Sequence, residues 1–272
     1  MDIPQIIVAP MAGGPSSPAL VDAAAAAGSL GFLAPGGAPA ALLEEQLAQV
    51  TGPYAVNLFT RQAPFESLAD VRRVAGDRPL PEVDLSNDFD AKFAAVLAAE
   101  RPPAVVSATF GPFMREENDA LHARGIHAWV TVTNPTDAVA AVEAGADALV
   151  VQGPDAGGHR STWTVAEEPD TRPLPDLVRS VAEVVGVPLI AAGGIRDAED
   201  VAAALALPGV VAVSCGSAFL LADEAGTSPL NRELLSAGGR SVASRAFSGR
   251  VARGLETDFT RNNPDIPPIY PY

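Results

Sequence analysis

The side chain best suited to move a proton sits in a short glycine-rich stretch. Val150-Val151-Gln152 reads as the end of an apolar strand, and Gly153-Pro154-Asp155-Ala156-Gly157-Gly158-His159-Arg160 follows it directly. Imidazole titrates near neutrality, so His159 is the candidate base, carried toward the site by the flexible Gly157-Gly158 pair. Gln152 closes its strand with an amide able to hydrogen-bond the edge of a heterocycle. Two more small-residue turns end later apolar runs, Ala191-Ala192-Gly193-Gly194-Ile195 and Ser214-Cys215-Gly216-Ser217. Residues this small leave backbone N–H groups accessible, and Ser217 adds a hydroxyl. With a helix starting near Asp197, the two turns read as a site for a phosphate-bearing ligand. Ordinary tight turns would use the same glycines. The first strand ends in Ala9-Pro10-Met11-Ala12-Gly13-Gly14, where two glycines admit a flat ligand or simply serve a turn of positive φ. Asn57, in Val56-Asn57-Leu58-Phe59, puts an amide among apolar residues at a strand end and reads as a ligand contact.

The remaining inventory is thin. Cys215 has no adjacent base to lower its pKa, and no Gly-x-Ser-x-Gly elbow is present. The three histidines are scattered without HxH or HExxH spacing, so no metal site is expected, and His122 and His127 read as structural. Ser107, Thr109, Thr131 and Thr133 also read as structural. A chain rich in ligand-cradling glycines and poor in nucleophiles fits chemistry performed by a bound cofactor.

The elements that position these residues alternate along the chain. Apolar strand-length runs are expected at Ile6–Met11, Leu30–Pro35, Tyr54–Phe59, Ala104–Gly111, His127–Asn134, Ala148–Gly153, Pro188–Ile195 and Val210–Phe219. Helices are expected at 17–27, 39–50, 89–100, 115–124, 136–144, 176–185 and 197–206. Near-continuous apolar strands with helices between them predict a parallel sheet covered on both faces, and eight repeats predict a (β/α)8 barrel. An open doubly wound sheet is disfavoured because no GxGxxG follows the first strand. The long connections 60–88 and 154–175, after strands three and six, belong on the catalytic face. Residues 1–239 are expected to form the barrel and 240–272 an irregular wrap packed on it.

Composition narrows the function classes. The 272 residues include 33 acids and 18 bases, for a net charge of −15, and Lys92 is the only lysine. Such a surface does not track phosphate backbones or anionic membranes. A single cysteine excludes an internal disulfide, no apolar run reaches membrane-span length, and the Met-Asp-Ile-Pro-Gln start lacks a signal peptide's basic region. The expectation is a soluble cytoplasmic α/β enzyme acting on a small molecule, with no nucleic-acid or membrane partner; a homo-oligomer stays open.

Taken together, these motifs resemble the nitronate monooxygenase family, FMN-dependent TIM-barrel flavoenzymes once called 2-nitropropane dioxygenases. The resemblance is carried by Ala9 to Gly14, Val56 to Phe59, Gln152 to Arg160, Ala192 to Ile195, Gly216-Ser217 and Phe247-Ser248-Gly249-Arg250, in family order. It implies FMN as cofactor. The Pro10–Gly13 backbone would back the isoalloxazine, and Asn57 and Gln152 would bond its polar edge or nearby ribitol and phosphate atoms. Gly157, Gly158, Gly193, Gly194 and Ser214 to Ser217 would close around the phosphate. His159 would face the substrate, as base on a nitroalkane or donor to a nitronate oxygen, with O2 as the final electron acceptor. Asp155 stands where the family usually has Glu, Ser161 where Gly is common, and Cys215-Gly216-Ser217 where Met-Gly-Thr is commoner. These departures leave two other readings: a related FMN barrel that uses NAD(P)H to reduce quinones or enoyl thioesters, and a non-catalytic flavin- or phosphate-binding barrel.

Overall fold

The computed structural model describes residues 2–272. Eight parallel strands close a barrel: β1 (Ile6–Val8), β2 (Leu30–Leu33), β3 (Ala55–Phe59), β4 (Val105–Thr109), β5 (His127–Val132), β6 (Ala148–Gln152), β8 (Leu189–Ala192) and β9 (Val210–Cys215). β9 pairs back onto β1, with Ile7 opposite Ser214. Each strand falls inside its predicted run. The short strand β7 (Gly158–His159) lies outside the barrel, in the connection after β6.

Alternation along the strands explains how the barrel is filled. Ile7, Leu30, Phe32, Ala55, Val105, Trp129, Ala148, Ile190 and Ala212, contributed by every barrel strand, form one apolar cluster. Trp129, 1% exposed, is its largest member and lies 6.2 Å from Phe32. Two residues further along, the same inward row turns polar: Asn57, Ser107, Thr131 and Ser214 are all buried. Apolar plug below and polar ring above is a barrel closed at the bottom with its chemistry at the strands' C-terminal ends.

Helices α1 (Pro18–Ala26), α2 (Ala40–Gln49), α4 (Phe89–Ala98), α5 (Arg115–Ala123), α6 (Pro135–Ala144), α7 (Leu174–Ala182) and α8 (Ala198–Leu205) match the predicted helices within a few residues. Their starts follow from local chemistry. The Ser17, Asn134 and Asp197 side chains accept N–H bonds from the first turns of α1, α6 and α8, and proline occupies the opening turn of α1 and α6.

The structure corrects the reading of 240–272 as irregular. β10 (Ser241–Ser244) and β11 (Ala252–Leu255) form an antiparallel pair, and β11 also pairs with β7, so that Ala252 faces His159. Helices α3 (Ala69–Ala75), α9 (Pro229–Ala237) and α10 (Asp258–Asn262) were likewise not predicted. α3 and α10 bury one residue each and α9 none, so none of the three is held by a buried apolar face.

The only lysine organises the loops at the top of the barrel. Lys92 is 1% exposed, and its Nζ donates to the carbonyls of Gly36 (2.6 Å) and Asn87 (2.5 Å). Burial lowers its pKa, opposed by Asp88 and Asp84. Asn87 Nδ2 in turn donates to Thr60 O, and Asp88 Oδ2 accepts from Ala40 N at the start of α2. The loop after β2 is thereby pressed on the loop after β1, so tightly that a Cβ on Gly36 would stand 2.9 Å from Ala12 Cβ. Lys92→Met leaves two carbonyls without their charged donor. We expect about 2–3 kcal/mol less stability in urea unfolding; an unchanged midpoint would show that the clamp carries no load.

Candidate active site

His159 is held from every side by segments distant in sequence. Its Nε2 lies 2.8 Å from Ser248 Oγ, leaving Nδ1 as the ring nitrogen without a partner among the described residues. Phe110 meets the ring edge-on at 6.0 Å between centroids, and Tyr270 at 5.7 Å. Arg250 lies beyond them, with its guanidinium carbon 4.0 Å above the Phe110 ring and 5.4 Å from that of Tyr270. Burial, reinforced by the Arg250 charge, lowers the His159 pKa from 6.5 to about 4. The imidazole is therefore neutral at pH 7.

Phe110 is the hub of this cluster and sits at φ +74, a left-handed backbone rare for a bulky residue. Its amide donates to Ser161 Oγ (3.0 Å), whose hydroxyl donates to Thr131 O (3.2 Å). Ser161, fully buried, thus ties the end of β4 to β5. A glycine could not supply this hydroxyl.

Gln152 is tied into the loop that follows its own strand. Its Nε2 donates to His159 O (2.9 Å), and its Oε1 accepts from Ser161 N (2.9 Å) and Arg160 Nε (3.4 Å). The amide thus folds the loop that carries His159, pairing polar groups that the loop would otherwise leave unpaired. Asn57, 2% exposed, donates to Ser107 Oγ (2.8 Å) and Thr109 Oγ1 (2.9 Å); its Oδ1 has only a 3.4 Å contact from Thr109.

The glycine turns do come together. A Cβ on Gly157 would stand 2.8 Å from Ser217 Oγ, one on Gly193 2.8 Å from Ala156 N, and one on Gly194 3.1 Å from Asp155 Cβ. Gly216 lies against Ala9 and Met11. The loops after β6, β8, β9 and β1 therefore converge, with Gly157, Gly158, Gly194, Ser217 and the Ala12-Gly13 turn facing solvent. The N–H groups of Gly194, Gly216 and Ser217 have no acceptor among the described residues. Pro10 lies in the same turn, braced by the bond from Met11 N to Ser16 Oγ.

Two further features shape this cradle. The N-terminus of α8 is not open to an anion: Asp197 accepts from the amides of Glu199 and Asp200, and Asp200 from that of Arg196. Its own carboxylates already serve the helix dipole. Cys215 points outward into the layer between barrel and helices, where burial raises its pKa, and only its backbone lines the turn. Ser214 is the inward neighbour.

His122 and His127 both lie at Asp147 (2.9 and 3.7 Å), at the foot of β5 and away from this site. A concavity of about 340 Å³ at the same end, lined by Thr51, Gly52, Tyr54 and Arg101 among others, has its guanidinium engaged by the Val50 and Thr51 carbonyls. Among the described residues, no group of three or more His, Cys, Asp or Glu is placed to hold a metal, and no helix is long and apolar enough to cross a membrane. Sequence reasoning assigned no role to Ser248 or Arg250, although both lie in the Phe247 to Arg250 motif. Phe110, Tyr270 and Gln62 gave no signal at all.

Residues 1–270 match the family model described as nitronate monooxygenase. The chain belongs to the nitronate monooxygenase family. It is an oxidoreductase of that group, 37% identical to a nitronate monooxygenase of Pseudomonas aeruginosa over 98% of this chain and 82% of the relative. A nitronate monooxygenase of Paraburkholderia phytofirmans is 35% identical, over 94% and 74% of the two chains. Among solved structures, a nitroalkane oxidase from Streptomyces ansochromogenes superposes with a TM-score of 0.88 at 36% identity, over 98% of this chain and 81% of that one. FabK from Thermotoga maritima gives 0.73 at 25% identity, over 96% and 74%.

Two buried groups of this family member give opposite pH signatures. Folding lowers the His159 pKa, so the unfolded chain takes up its proton first and stability is lost as pH falls from about 6.5 to about 4. Asp137 is raised to about 6 by burial and by Glu167, so its contribution is lost as pH rises from 3.8 to about 6. The two partly cancel in the native protein. His159→Asn removes only the first, so its stability relative to wild type should climb as pH drops from 6.5 to 4 in chemical denaturation; a constant difference would contradict the neutral buried imidazole.

Proposed function

We propose that this chain is an FMN-dependent oxidoreductase that oxidises alkyl nitronates with O2, with His159 as the catalytic residue. The observation that carries the reading is a neutral, half-buried imidazole, fixed at Nε2 by Ser248 and delivered by β7 next to a cradle of free backbone amides. Family membership supports a flavin there, and the cradle's donor set suits its phosphate.

The Ala9, Pro10, Met11, Ala12 and Gly13 backbone would back the flavin ring. Asn57 Oδ1 would be available to its polar edge, while Gln152 would act on the flavin by shaping the loop beside it. The phosphate would take the amides of Gly157, Gly158, Gly193, Gly194, Gly216 and Ser217, with the backbone of Ser214 and Cys215 and the Ser217 hydroxyl. FMN, when bound, supplies the electron acceptor for the nitronate and passes electrons on to O2. The protein's share is to hold the substrate at Nδ1 of His159, exclude water with Phe110 and Tyr270, and keep the imidazole unprotonated.

His159→Asn should retain bound flavin and lose nitronate oxidation by at least ~10²-fold, the low end of what a positioned proton-transfer group contributes. Undiminished turnover would remove His159 from the mechanism. Anaerobic mixing with NADH in the same series should leave the flavin oxidised; prompt bleaching would favour the nicotinamide-using reading.

A further inference from the structure

Arg250 brings a positive charge into the protein that no carboxylate pairs directly; Glu167 favours it only from a distance, and Arg245 opposes it. It is 1% exposed. Its Nη1 donates to Thr162 O (2.6 Å) and Thr162 Oγ1 (3.1 Å), its Nη2 to Gln62 Oε1 (2.6 Å), and its Nε has no acceptor. Every partner is neutral, and no carboxylate among the described residues is within ion-pair distance. Burial lowers its pKa to about 10, which leaves it charged at pH 7. A buried cation is costly and is normally offset by a carboxylate. Bracing Thr162 to Gln62 needs N–H donors, which a neutral amide also has. The bracing therefore does not by itself require a charge, and the stack on Phe110 offsets only part of the cost of burying one.

Its surroundings indicate what the charge acts on. The two rings that enclose the guanidinium, Phe110 and Tyr270, are the two that touch His159, and Ser248, two residues earlier, holds the imidazole. The other charged groups around His159 are already engaged. Arg160 on β7 donates to Gln152 and to Asp170 O, and Arg253 on β11 donates to Pro154 O and pairs with Asp155 at 3.5 Å. The Tyr270 phenol is held neutral, its pKa raised by burial.

We propose that Arg250 is the specificity-determining residue of this site: its unpaired charge, acting across Phe110 and Tyr270, favours an anionic substrate over a neutral one of the same shape. The proposal rests on the reading of His159 as the substrate-facing residue. It orders the substrate classes: a preformed nitronate is preferred, and a neutral nitroalkane is poor because deprotonation would place a second cation beside the first. At an effective dielectric near 20, even a unit charge about 10 Å from an anion is worth roughly tenfold or more in affinity.

The test uses two ligands of one shape, propionate and propionamide, titrated into the purified protein and read by the change in flavin absorption and by competition with a nitronate. Wild type should bind propionate at least roughly tenfold more tightly, Arg250→Lys should keep the preference, and Arg250→Gln should bring the two ligands to near parity. Parity in wild type, or full preference in Arg250→Gln, overturns the proposal, and Arg250→Met, which keeps the apolar stem and removes the charge, is read in the same way if the Gln variant does not fold. Proton NMR of the three histidines supplies a readout without turnover. The His159 titration, assigned with His159→Asn, should move up by roughly one unit in Arg250→Gln; no movement overturns the field acting on it. A shifted titration in a colourless protein would keep the Arg250 field and discard the flavin reading.

Discussion

The stack of the Arg250 guanidinium on Phe110 is the contact through which the upper half of this molecule is assembled. It joins the loop after β3 through Gln62, the end of β4 through Phe110, the loop after β6 through Thr162 and the C-terminal tail through Tyr270. A left-handed phenylalanine costs on the order of 1–3 kcal/mol and persists only where its surroundings over-determine it. Here Phe59, Tyr270, His159 and the guanidinium all pack on one ring. Cation–π attraction and charge-assisted hydrogen bonds offset part of the cost of burying Arg250. The strain and the buried charge lie together beside the one histidine at the barrel's top, where a working site would be expected to carry them.

The barrel below needs none of this. Its apolar cluster around Trp129 draws on every barrel strand, and the strands become polar inside only one layer higher. Stability and chemistry are thus stacked along the axis. Lys92 connects the two levels from outside, fixing the β2 and β3 loops that the site residues adjoin.

How much of this was legible in the sequence follows from how local each feature is. Strands buried on both faces and helices opened by Ser17, Asn134 and Asp197 announce themselves over a few residues, so the eight-fold alternation and the positions of the glycine turns were readable. The inward polar row was readable too, through the period-two alternation Ala55-Asn57-Phe59 and Val105-Ser107-Thr109, yet Ser107 was read as structural and its bond to Asn57 went unseen. The small sheet β10-β11-β7 was not legible: β7 has two residues and β11 contains a glycine, so neither shows a strand pattern. The partners of His159 were beyond reach for a different reason. Ser248 is 89 residues away and Tyr270 still farther, and only closure of the chain over the barrel brings them together. Outward-facing Cys215 and the self-capped start of α8 show the same limit. A turn's residues can be read from sequence, but not the direction in which they point.

The central claim is that a flavin mononucleotide occupies the glycine cradle beside a neutral His159. The most direct measurement is the visible absorption spectrum of the purified protein, with the chromophore released by denaturation and identified by mass. The account predicts the two-band spectrum of an oxidised flavin and release of FMN. A colourless protein that also fails to take up added FMN would contradict it, and the convergence of the loops after β1, β6, β8 and β9 would then need another ligand to explain it.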